Sequence, residues 1–173
     1  MGVGKLAGVL DIDIDAAKAL LAEYNNKVPF VKGLATAVSD RAQEVGVIRT
    51  ALGRKCRFDR WEPRQYGLHR ALSLDDALRE HGPMANIKRA FTYKALNRLI
   101  QGSSADQTKK AMADLYDEGI HPMLTVHDEL CFSIDKDDEE NVKDIKNIME
   151  NCVDSLVPFK VDIASGTNWG EID

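Results

Sequence analysis

The stretch Met123-Leu124-Thr125-Val126-His127-Asp128-Glu129-Leu130-Cys131-Phe132-Ser133-Ile134 sets two apolar, strand-like runs on either side of three polar residues. Beta-branched and aromatic residues favour paired extended strands, so the stretch reads as a tight hairpin with Asp128 and Glu129 at its tip. A carboxylate thrust out on a rigid hairpin can hold a divalent metal. Turns are also rich in Asp for conformational reasons, and a solvated hairpin tip is the commoner meaning of the tripeptide taken alone.

Upstream lies Tyr93-Lys94-Ala95-Leu96-Asn97-Arg98-Leu99-Ile100-Gln101-Gly102-Ser103-Ser104-Ala105-Asp106. Asn97 and Gln101 are four residues apart and share a face of a continuous helix. With the hairpin behind it, this segment resembles the family A DNA polymerases, especially those of phages. There a helix carrying Asn, then Gln-Gly, two small residues and Ala-Asp precedes a strand ending in Val-His-Asp-Glu, which supplies one of two metal-binding aspartates. Order and spacing match here. Val157-Pro158-Phe159-Lys160-Val161-Asp162 and Gly166-Thr167-Asn168-Trp169-Gly170 are similar to the family's last strand and terminal Gly-x-x-Trp. Gly46-Val47-Ile48-Arg49-Thr50-Ala51-Leu52-Gly53-Arg54-Lys55 resembles its "glycine, hydrophobic, Glu/Arg-Thr, Leu, Gly-Arg-Arg" segment, so essentially the whole chain is covered.

The resemblance implies an α+β fold, an antiparallel palm-type sheet with a catalytic hairpin packed against several helices. Residues 1–46 would be a fingers-derived helical segment and residues 47–173 a C-terminal palm portion with DNA-contacting helices. Met1-Gly2-Val3-Gly4-Lys5-Leu6-Ala7 resembles the residues just after the Tyr-Gly ending of the family's fingers-helix motif. On that alignment the Lys and Tyr that bind the incoming nucleotide, and the Asp-Tyr-Ser motif with the other aspartate, fall outside the chain. It is therefore expected to be a C-terminal polymerase piece, inactive alone and working with a separate N-terminal polymerase fragment. The competing class is a noncatalytic DNA-binding or assembly subunit, or the remnant of a broken polymerase gene.

The chemistry implied is nucleotidyl transfer onto a primer-template from a dNTP, at a two-metal Mg2+ site completed by residues outside this chain. Asp128 is the expected metal ligand, because hard oxygen donors suit magnesium. Glu129 is expected to tune the site or orient water, a solvated turn acid being the alternative. His127 resembles the residue near the primer terminus, with a lone structural histidine as the alternative. Asn97 and Gln101 match amides that lie along the template-primer duplex, where an amide can donate or accept whatever the base. Lys88, Arg89, Lys94 and Arg98 would meet phosphates. Tyr93 departs from the pattern, standing where many members have arginine. Arg54 is a candidate for either a phosphate contact or an internal ion pair.

Composition is consistent with a soluble piece of this kind. The 173 residues, 44% of them hydrophobic, suffice for a substantial core in one domain or part of one. No apolar run is long enough to span a membrane, and the N-terminus lacks a signal peptide's basic and apolar regions. Cys56, Cys131 and Cys152 are odd in number, widely spaced and without a paired ligand pattern, which suits free, largely packed thiols in a reducing cytosol; the resemblance implies that of a bacterial cell. The net charge of −5 conceals a segregation. Residues 31–110 hold 16 Lys or Arg against 8 Asp or Glu, a balance of +8, and the remainder holds 7 against 20, a balance of −13. A basic middle suits a phosphate backbone through counterion release, and solvated helix faces are the alternative.

The periodicity predicts a helix capped by Asp13 or Asp15 with Ala17, Leu20, Leu21 and Tyr24 on one face. A second helix is expected from Pro29 to before Gly46, with Val31, Leu34, Ala35, Val38, Ala42 and Val45 as a core stripe. Val47–Leu52 and Cys56–Phe58 suggest a hairpin turned at Gly53-Arg54. Asp59–Gly82 reads as irregular with a short helix after Ser73, Pro83–Glu118 as a long helical region interrupted or bent around Gly102 and stopped by Gly119, and Asp137–Leu156 as a last helix. His69, His81 and His121 have no ligand-like spacing with Cys. Met1-Gly2-Val3-Gly4-Lys5 lacks the full spacing of a phosphate loop. The acidic run Asp135–Glu140 reads as the solvated start of the last helix.

Overall fold

Residues 2–65, 67–84 and 86–172 are described by a computed structural model. Met1 of the N-terminal motif and Ala85 of the expected long helix lie outside them. Contacts divide the chain into two compact units: one runs to Arg49 and resumes over Lys55–Leu99, and the other joins Thr50–Arg54 to the residues from Ile100 onward.

The first unit opens with two helices, α1 (Val3–Leu10) and α2 (Ile14–Lys27). Asp13 caps α2, its Oδ1 accepting from the N–H groups of Asp15 and Ala16 at 2.8 Å. Leu6 and Ala7 of α1 bury against Ala17 of α2, with Val3, Ile12 and Leu21 around them. That packing forms α1 despite Gly4 and Gly8, whose weak helix propensity hides the element from a periodicity reading.

Helix α3 (Pro29–Glu44) begins with proline in its first turn, where a missing N–H costs nothing. Of the expected stripe, Ala42 is fully buried and Val38 packs beside it, whereas Leu34 and Val45 are exposed. Gly46 ends the helix at φ +76°, in the left-handed region that glycine occupies without strain. A Cβ there would also meet the Arg89 guanidinium at 2.5 Å. Strands β1 (Val47–Arg49) and β2 (Lys55–Arg57) then pair antiparallel with Ile48 opposite Cys56. Ile48, Phe58, Ala42 and Ala95 form the core beneath them.

Two strands stand where the sequence indicates irregular chain and helix. β3 (Trp61–Pro63) and β4 (Ile87–Arg89) pair antiparallel, Glu62 opposite Lys88, with a salt bridge of 3.4 Å between those side chains. The expected helix over Pro83–Glu118 is thus corrected at its start, because residues 87–89 find hydrogen-bond partners more than twenty positions away. Helix α4 (Leu74–His81) lies between these strands in sequence, capped by Ser73 Oγ, which accepts from Asp76 N–H at 3.2 Å.

Helix α5 (Ala95–Asp117) follows a 3-10 turn at Thr92–Lys94 and runs through Gly102 without interruption. It stops as the sequence indicates. Ile120 N–H reaches back to Leu115 O at 2.8 Å and Gly119 N–H to Tyr116 O at 3.0 Å, the Schellman arrangement, with Gly119 at φ +78°.

In the second unit, β5 (Leu124–Val126) and β6 (Glu129–Cys131) form the hairpin, Leu124 facing Cys131 and Val126 facing Glu129. Thr125 Oγ1 lies 3.9 Å from Met112 Sδ on α5. Ala111 and Leu115 of α5 and Ile145 of α6 (Glu139–Asn151) supply its buried apolar side chains. The acidic run does begin α6, Asp138 accepting from Asn141 N–H at 3.1 Å. Residues 157–162, expected as a last strand, form none. Val161 N–H is taken by the Glu150 carboxylate at 2.9 Å instead of a neighbouring strand. The fold is α+β; among the described residues the strands form three two-stranded antiparallel ladders, and an isolated antiparallel bridge joins Trp61 to Leu72.

Candidate metal and nucleic-acid site

The pairing of Val126 with Glu129 leaves only His127 and Asp128 to turn the hairpin. His127 takes the first turn position at φ +54°, a region that a two-residue hairpin demands and that glycine or asparagine fills at less cost. Met123 N–H donates to Cys131 O at 2.8 Å and closes the arms below the tip. His127, Asp128 and Glu129 are all at least partly exposed. A short turn between paired strands fixes where the Asp128 backbone stands, and with it the region its exposed carboxylate can reach.

Among the described residues no three His, Cys, Asp or Glu side chains gather closely enough to hold a metal ion. The tip nonetheless offers adjacent carboxylates of the hard-donor type. These fit magnesium as part of a shell, since that ion keeps waters and substrate oxygens instead of a closed protein cage.

Asn97 and Gln101 sit on α5, both exposed. Just after Gln101 the helix receives the Thr50–Arg54 turn. Arg54 Nε donates to Asp106 Oδ1 at 2.7 Å and Arg54 Nη2 to Gly102 O at 2.8 Å, while Ala51 N–H donates to Ser103 Oγ at 3.0 Å. Arg54 therefore forms an internal ion pair. Thr50 closes the turn on itself, its N–H donating to Arg54 O and its Oγ1 accepting from Arg54 N–H, each at 3.0 Å. Gly102 permits the approach, because a Cβ there would stand 2.8 Å from Thr50 Cγ2.

The basic candidates belong to the first unit. Lys88 faces Glu62 across the β3–β4 ladder. The neighbouring Arg89 is half-buried. It donates from Nη1 to Phe58 O at 2.8 Å and stacks its guanidinium 4.6 Å above the Trp61 ring. Lys94 is exposed, with Phe91 and Tyr93 rings 5.2 and 5.6 Å from its ammonium. Arg98 lies on the Phe58 ring at 4.8 Å and donates to Arg57 O at 3.3 Å. Such stacking fixes a cation's direction while leaving its charge intact.

Asp106 closes the Ala-Asp pair of the motif, and the sequence alone assigns it no task. It is 7% exposed, and Thr50, its neighbour in the turn assembly, is 5% exposed. A signal for it exists: Ala95, Leu99, Gly102 and Asp106 recur at helical spacing, and a charge on an otherwise small and apolar face requires a partner.

Comparison with known proteins places this arrangement in a family. Residues 1–171 match the model of DNA polymerase family A. A DNA-directed DNA polymerase of Pseudomonas phage M6 is 39% identical over 153 residues, covering 88% of this chain and 19% of the phage protein. A thermostable DNA polymerase I of Thermus filiformis is 29% identical over 176 residues, covering 99% of this chain and 19% of its own length. The solved POL domain of Pol1 from M. smegmatis, complexed with DNA primer-template and dNTP, superposes with a TM-score of 0.72 at 26% identity, covering 99% of this chain and 28% of that one. The chain belongs to DNA polymerase family A and spans about a fifth of the length of these curated relatives.

Proposed function

We propose that this chain supplies the carboxylate hairpin and part of the template-primer surface of a DNA-directed DNA polymerase. The observation that carries the reading is the two-residue turn at His127-Asp128, held by a closed ladder and presenting two exposed carboxylates in a chain of this family. Asp128 would hold magnesium, with Glu129 beside it orienting water. When bound, the ion stabilises charge that develops as a primer hydroxyl displaces pyrophosphate. His127 positions the primer terminus. The other carboxylate and the nucleotide-binding helix come from polymerase sequence outside these 173 residues, on the same polypeptide or on a separate fragment.

Primer-template DNA would run along the amides of Asn97 and Gln101, with Lys88, Lys94 and Arg98 neutralising phosphates. Arg89, engaged with Phe58 and Trp61, contributes by holding the β3–β4 ladder. Residues 1–46 serve as the fingers-derived segment and 47–173 as the palm portion. Among the described residues no helix is long and apolar enough to cross a membrane. A task on primed DNA suits the cytoplasm of a bacterial cell, under bacterial or phage control.

Asp128→Asn keeps size and turn geometry while deleting the charge that holds the metal. In the assembled polymerase we expect it to abolish most nucleotide transfer across a magnesium titration and to leave duplex binding near wild type. Metal contacts act mainly in the transition state, whereas DNA affinity is spread over many phosphates. Asp135→Asn, in the acidic run before α6, should change neither quantity. Full extension by Asp128→Asn would replace this reading with a noncatalytic DNA-binding subunit.

A further inference from the structure

We infer that Arg54 and Asp106 are positioning residues: their ion pair holds the Thr50–Arg54 turn on α5 so that Gln101 meets the primer-template junction in one register. The inference rests on the template-primer reading of Gln101 and deepens it. Three contacts, from Arg54 Nε, Arg54 Nη2 and Ala51 N–H, reach α5 within the five residues after Gln101. The carbonyl they engage belongs to Gly102, the next residue in the chain, and Gly102 is also where a side chain would drive the turn away.

The pair is a poor device for stability alone. Asp106 Oδ2 is enclosed without a hydrogen-bond partner, and an acceptor so placed costs the fold what its water once supplied. Only the acid of the pair is buried, Arg54 keeping 45% of its side chain exposed, and well-packed apolar residues in place of enclosed ion-pair groups often leave a protein as stable or more so. What apolar residues cannot reproduce is direction. The guanidinium fork binds Oδ1 and a main-chain carbonyl at once, and so fixes both the turn and the helix backbone at residue 102.

The test measures binding of the full chain to a primer-template junction and to a blunt duplex of equal length, with 2-aminopurine at the primer terminus reporting local stacking. Arg54→Met combined with Asp106→Leu should keep the helical circular dichroism and melting transition. Its junction preference should fall on the order of tenfold, the loss expected when one directed polar contact to nucleic acid is misplaced. Gln101→Ala should lose the same preference, and joining it to the double replacement should cost little more, since both act on one contact. Arg54→Lys, which keeps the charge and cannot span both acceptors, should fall between and serves as the folded probe if the apolar pair fails to fold. Additive losses, or a junction preference left intact by Arg54→Lys and the apolar pair while Gln101→Ala abolishes it, would overturn the positioning role. A preference unaffected by Gln101→Ala would instead remove the template-primer reading of Gln101, and this inference with it.

Discussion

Glu171 gathers the Thr167 N–H at 3.0 Å, the Thr167 hydroxyl at 2.7 Å and the Asn168 amide at 2.9 Å near the end of the chain. The Thr167 hydroxyl and N–H lead in holding its carboxyl below the ordinary glutamate value. A depressed carboxyl contributes stability that is present above the unfolded pKa and lost as pH falls through the folded one. The Gly166–Glu171 turn should therefore loosen in the acid range below ordinary glutamate titration. Thr167 amide exchange and the Glu171 carboxyl resonance should titrate together, and Glu171→Gln should flatten the exchange profile. A Glu171 resonance titrating at the unperturbed position would show that these bonds do not persist in solution.

At the scale of an element, Gly102 sets two effects against each other. Replacing a mid-helix glycine by alanine improves helix propensity by about 1 kcal/mol. Here the new Cβ would stand 2.8 Å from the methyl of buried Thr50. We expect the clash to win, so that Gly102→Ala lowers the melting temperature. Adding Thr50→Ser keeps the hydroxyl that accepts from Arg54 N–H but removes the methyl, and should restore or exceed the starting stability. Equal melting temperatures for Gly102→Ala with and without Thr50→Ser would show that the turn does not sit against the helix.

The elements that can be read in advance are those whose ends are chemically marked: Asp13 and Ser73 as caps, Pro29 as a start, Gly46 and Gly119 as stops. The β5–β6 hairpin is equally plain, because its apolar arms and polar tip lie within a dozen or so consecutive residues, Met123 to Ile134. β3 and β4 are hidden, being three residues each, partly charged, and separated in sequence by α4. A cross-strand partner so distant leaves no local period. The Arg54–Asp106 pair is half legible: an internal ion pair is one of two readings of Arg54, but nothing in the spacing names its acid.

Across the whole molecule the acidic total hides a basic middle, and the two make different forecasts for DNA. A uniform −5 predicts weak binding at any salt. A basic surface predicts affinity that falls steeply as salt rises, by about 0.9 in log–log slope for each phosphate neutralised. Lys94 and Arg98 have no carboxylate among the contacts described for them, whereas Lys88 shares its charge with Glu62. Lys94→Ala with Arg98→Ala should therefore flatten the slope more than Lys88→Ala, and do so alike on unrelated sequences. An unchanged slope in the double variant would take both residues off the DNA surface.

Among the described residues every strand belongs to a two-stranded ladder, and β3 alone has a further bridge, from Trp61 to Leu72, so the other strands have no second strand partner and could accept a foreign one. Proteins discourage such additions with charge, proline and brevity. β1, β2, β3 and β4 carry Arg49, Lys55, Arg57, Pro63, Lys88 and Arg89, and β6 begins with Glu129. β5, Leu124-Thr125-Val126, has no charge, and exposed Met123 precedes it. The segment least guarded against self-association in a concentrated solution is thus the one that leads to the carboxylate tip. A copy adding itself there would cover an arm of the hairpin that carries Asp128, so crowding would compete for the strand that leads to the proposed metal ligand.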